Sequence, residues 1–167
     1  MVARTLRHVH ALILAAGITL LSACTGVTLG TIAESEGVDR DAIVALDDGS
    51  AVAARISGNR VEVVAFRFEE DSWVADVAAA GKAGEMTAHL VSLDGQTGEQ
   101  WNSFFFGTAP AGSSRVLVEG HDARGGQVTD GAWVIAFEQK GLRPDQLSWR
   151  VLNAAGAVVE QGSGIMP

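Results

Sequence analysis

Histidine is the side chain best suited to move protons near neutral pH, and this chain carries four: His8, His10, His89 and His121. His8 and His10 stand in the N-terminal leader, which leaves His89 and His121 as candidates. Nucleophilic catalysis sets such a base beside a serine, cysteine or threonine. His89 lies in "TAHLV", where it reads as a packed or half-exposed strand residue. His121 is followed by Asp122 in the polar loop "EGHDARGGQ" and is the better candidate for proton transfer or ligand binding. No motif places a serine beside it, and a solvated loop histidine is the simpler account. No catalytic residue is assigned, and the chain is not expected to be an enzyme.

Metal chemistry is no better supplied. Zinc asks for three or four cysteine, histidine or carboxylate ligands, and the soft ones are nearly missing. The stretch "LDGQTGEQ" (93–100) offers oxygens at alternate positions, as a calcium loop does. It lacks aspartate or asparagine at the next two ligand positions and ends too soon, so a hairpin turn explains it better. "EED" (69–71) and "DD" (47–48) read as exposed strand-end carboxylates. "GSG" (162–164) lies in no strand-to-helix context and implies no phosphate cradle. No metal or cofactor is expected. Of Trp73, Trp101, Trp133 and Trp149, which could line a sugar-binding face, alternation turns Trp133 and Trp149 inward. Trp101, beside Gln100 and Asn102, is the one to test for exposure, with burial the commoner outcome.

The remaining reactive group is Cys24, the one cysteine of the chain. Before it come Arg4 and Arg7, then an uncharged, mostly apolar run from Ala11 to Leu21, then small residues. These are the parts of an export signal in order, and the run is shorter than the roughly 20 apolar residues of a membrane-spanning helix. Leu21-Ser22-Ala23-Cys24 resembles the lipobox of bacterial lipoproteins. The resemblance covers the first 24 residues. It implies a diacylglyceryl group on the Cys24 sulfur, cleavage between Ala23 and Cys24, acylation of the freed amine, and a place on the outer face of the cell membrane. A lone thiol outside the membrane has no partner within the chain for a disulfide, and lipidation removes it. Residues Gly107 to Gly162 also resemble the C-terminal part of small actinobacterial lipoproteins of no known activity, and the use of arginine over lysine fits such a GC-rich source.

The domain organisation follows: a signal peptide at 1–23, a lipidated cysteine with a flexible tether at 24–41, and one β domain at 42–167. At roughly 5–6 Å times the square root of its length, the tether would stand the domain about 20–25 Å from the bilayer. Loss of Arg4 and Arg7 deepens the net charge of −8 by two. That balance argues against nucleic-acid binding and leaves the anchor to supply the membrane affinity.

From Ile43 onward, short apolar runs alternate with turn dipeptides, the all-β signature. "AVAARI" is followed by "SGNR" and "VEVVAFRF" by "EEDS", with Asp48-Gly49 and Gly58-Asn59 suited to the positive φ of tight turns. "VADVAAAG" (74–81) reads as strand or as a helical turn ending at Gly81. In "GAWVIAFEQ", Trp133, Ile135 and Phe137 share one face and Ala132, Val134 and Ala136 the other, which predicts a central strand. In the closing hairpin Leu147, Trp149 and Val151 point inward and Ser148 and Arg150 outward. Nine or ten such strands predict an antiparallel β-sandwich, immunoglobulin-like in architecture but without its disulfide, with a β-barrel as the alternative.

With an anchor, a small β fold and no catalytic grouping, the leading expectation is a non-catalytic lipoprotein whose domain binds another envelope protein. The alternative is a small-molecule or glycan-binding lipoprotein. A hydrolase centred on His121 comes third. An exposed apolar patch would favour the first, and a pocket with converging polar groups the second.

Overall fold

The computed structural model describes residues 27–46, 48–92, 103–137 and 142–164. Cys24 and its lipobox, Trp101 and the 93–100 stretch lie outside them. The described chain opens with helix α1 (Leu29–Ser35) and a 3-10 turn (Arg40–Ala42), and is otherwise β. The strands are β1 (Val44–Ala45), β2 (Ala51–Ser57), β3 (Arg60–Glu69), β4 (Ser72–Lys82), β5 (Thr87–Ser92) and β6 (Ser103–Thr108). They continue as β7 (Ser113–Glu119), β8 (Ala123–Gly125), β9 (Ala132–Phe137), β10 (Ser148–Asn153) and β11 (Val158–Ser163).

All pairings are antiparallel, and they build three sheets: β1-β2-β3-β4, β5-β6-β9-β8 and β11-β10-β7. The fold is an all-β sandwich that does not close into a barrel. It has one sheet more than an immunoglobulin-like pair. The second sheet lies in the middle, because its central strands are apolar on both faces. Phe104, Phe106, Ala132, Val134 and Ala136 pack against Val52, Val61 and Val63 of the first sheet. Phe105, Trp133, Ile135 and Phe137 pack against Val116, Trp149 and Val151 of the third. β9 is therefore the central strand its two apolar faces predict, and Leu147, Trp149 and Val151 are buried while Ser148 and Arg150 are exposed.

Local chemistry sets the turns. Gly58, at φ 60°, supplies the backbone conformation that the two-residue β2–β3 connection needs. The β3–β4 connection is equally short, yet its positive φ values fall on Glu70 (46°) and Asp71 (67°) rather than on glycine. The 74–81 stretch is strand rather than helical turn, since it pairs with Val61–Arg67 of β3 through one register shift.

The expected tether is the main correction. Residues 29–42 are part of the folded body, not a flexible linker. Leu29, Ile32 and Ala33 recur at helical spacing, and Ala33 and Val38 are buried against Ala51, Ala53, Val64 and Phe66 on the outer face of the first sheet. Thr28 caps the helix by accepting from Thr31 N at 3.2 Å, and Gly37 ends it at φ 69°. Arg55 clamps its far end: the guanidinium donates to the Glu36 carbonyl and pairs with Glu36 at 3.1 Å and Glu62 at 3.0 Å. The layers thus run helix, first sheet, second sheet, third sheet. Among the described residues no helix is long and apolar enough to cross a membrane.

Candidate functional site

A cleft forms where the three sheets meet at one edge. Its wall begins at Gly125-Gly126, in the stretch expected to be a polar loop. There Ala123–Gly125 instead pairs with β9. Gly126 then donates its N–H to the Val134 carbonyl at 2.8 Å and accepts from Val116 N at 2.6 Å, joining the second sheet to the third. Both glycines hold positive φ (97° and 87°). A Cβ at 126 would lie 2.1 Å from the Val116 carbonyl oxygen, and one at 125 would lie 2.4 Å from that of Val134. Only glycine lets the strands approach this closely.

The cleft beside this junction has a volume of about 320 Å³, at the small end of ligand pockets. Asp41, Ile43 and Val44 line it from the N-terminal side, Ser114 and Arg115 from β7, and Gly125 and Gln127 from the junction. Ser114 is fixed by donating its hydroxyl to the Leu152 carbonyl at 3.2 Å. Residues that carry a guanidinium, a carboxylate and an amide therefore line one small concavity together with Ile43 and Val44. That set can hold a small polar molecule but provides no activated nucleophile. Sequence reasoning missed this grouping, whose members stand far apart in the chain.

His121 is elsewhere. Its Nε2 donates to the Gln146 carbonyl at 3.3 Å, and its ring meets Phe137 edge-on with centroids 5.9 Å apart. The carbonyl and the aromatic ring both help to orient the imidazole. His89, half-buried on β5, donates to the Lys82 carbonyl at 2.9 Å and packs 5.5 Å from Phe106.

Among the carboxylates, Asp48 is used locally, accepting from Ser50 N at 2.9 Å and Ser50 Oγ at 2.6 Å. Glu69, Glu70 and Asp71 end β3 and form its turn, with Glu69 paired to Arg67 at 3.1 Å. Among the described residues no three histidine, cysteine or acidic side chains are grouped to hold a metal ion. Trp133 and Trp149 are core residues, while Trp73 is half-buried against Phe68.

A different kind of surface lies at the rim of the third sheet. Among the described residues β11 pairs with β10 alone, all six of its residues are exposed, and Val158 and Val159 remain 47% and 46% accessible. Its outer backbone edge is a template for another strand. No protein-family model, no curated protein and no solved structure matches this chain.

Proposed function

We propose that the chain is a lipoprotein anchored through Cys24 on the outer face of the cell membrane, whose non-catalytic β domain docks another envelope protein. The observation that carries the anchor is Leu21-Ser22-Ala23-Cys24 behind a charged and then apolar leader. The docking part is supported by β11, an exposed edge with two accessible valines, suited to main-chain pairing with an extended segment. Cys24→Ser is expected to leave an uncleaved precursor that takes up no labelled fatty acid. A Cys24→Ser protein that matures and partitions into detergent like wild type overturns the anchor.

The cleft at Arg115 favours a second reading, a lipoprotein that holds a small polar molecule. Native mass spectrometry of the protein from its own membranes separates the two. A bound small molecule that disappears in Arg115→Ala favours the second reading.

A further inference from the structure

We infer that the outer face of the first sheet, around Phe68, Trp73 and Val77, lies on the lipid surface and sets the orientation of the anchored domain. The inference rests on the proposed lipidation of Cys24.

The first observation is the length of chain between anchor and fold. Thr28 already caps α1, so only Thr25, Gly26 and Val27 separate it from Cys24. Even fully extended, those links span at most about 14 Å. The helix is the outermost layer of the stack, on the far side of the first sheet from the second. An anchor so close to its first residue brings that side of the molecule to the headgroups and leaves the third sheet roughly 20 Å further out, at about 10 Å per sheet layer.

The second observation is what that side exposes. Phe68 follows Phe66 by two residues on β3, and Val77 follows Trp73 and Ala75 by even steps on β4, so all five share the outer face. The helix cluster takes in Phe66, Trp73 and Ala75. It leaves Phe68 58% and Val77 50% accessible, with Val27 at 46% just before the helix. Phe68 is held edge-on to Trp73 with centroids 5.6 Å apart, so the aromatic pair projects as a unit. The charges of the same hairpin, the Arg67 pairs with Glu69 and Asp76, extend from the opposite face. Aromatic side chains with a polar flank suit the bilayer interface. Tethering converts a contact too weak to recruit a soluble protein into one that orients an anchored protein. Glu70 and Asp71 at the turn favour neutral over anionic lipid.

The full chain offers a direct test, because lipidation blocks its one native thiol. Phe68→Cys, Val77→Cys and, on the third sheet, Val159→Cys each carry a polarity-sensitive fluorophore. The lipidated proteins are placed in phosphatidylcholine vesicles containing nitroxide-labelled acyl chains. Flotation and the mass of the N-terminal peptide report the anchor independently. The expected result is a blue shift and quenching at positions 68 and 77 but not at 159, reduced when phosphatidylglycerol is added. Floating vesicles in which positions 68 and 77 behave like 159 overturn the docking face while leaving the anchor standing. Shielding of position 68 before vesicles are added assigns the patch to a second copy of the chain and also overturns it. Protein that fails to float with Cys24 unmodified overturns both readings.

Discussion

β9 and β11 have the same length and opposite surroundings. Every residue of β9 is buried, and every residue of β11 is exposed. β9 is paired on both edges, by β6 and β8, and packed on both faces, its side chains meeting the first and third sheets in alternation. Among the described residues β11 is paired on one edge and exposed along its length. In a three-sheet stack the middle layer therefore carries the cohesion, and the rim is free for recognition. The exposed valines and the Phe68 hairpin lie outside that middle layer, and the cleft touches it only at the short edge strand β8.

The largest effect expected from this contrast is in the middle sheet. Phe105 is fully buried and stacks edge-on with Trp133 at 4.9 Å, so Phe105→Ala should cost about 3–5 kcal/mol in denaturant unfolding. Val159→Ala on β11 should stay within about 0.5 kcal/mol. Comparable losses at the two positions would remove the distinction between cohesive centre and permissive rim.

A sharper test lies within β11 itself. Gly162 is exposed, yet a Cβ there would sit 2.5 Å from the Trp149 ring, whose Nε1 donates to the Gly164 carbonyl at 3.0 Å. Gly162→Ala should destabilise by about 1–3 kcal/mol through overpacking and alter the near-ultraviolet signal of the tryptophans. Full tolerance would mean that this part of the rim is not held against the core.

A smaller effect than at Gly162 is expected at His121. The contacts that His121→Ala removes include the hydrogen bond to the Gln146 carbonyl and the edge contact with Phe137, together about 0.5–1 kcal/mol. Under the proposed docking role, the variant should keep its cellular function. Loss of that role with an unchanged melting temperature would return His121 to catalysis.

The alternation of Trp133, Ile135 and Phe137 with Ala132, Val134 and Ala136 was enough to place β9 centrally, because a period of two reports directly which faces a strand buries. The β2–β3 turn at Gly58 and the inward set Leu147, Trp149 and Val151 were legible for the same reason: backbone conformation and pleat act over a few residues. What covers an apolar face is not local. Phe66 and Phe68 have the same spacing and chemistry, yet α1 buries the first and leaves the second exposed. The helix itself passed for a tether because seven residues carry too little periodicity to announce a docking partner more than twenty positions away. The cleft joins Asp41, Arg115 and Gln127 only after Gly125-Gly126 has brought two sheets together. Short-range sterics and alternation write strands and turns into the sequence. Which strand faces which, and which apolar side chains stay uncovered, depends on contacts between distant segments that form only in the folded chain.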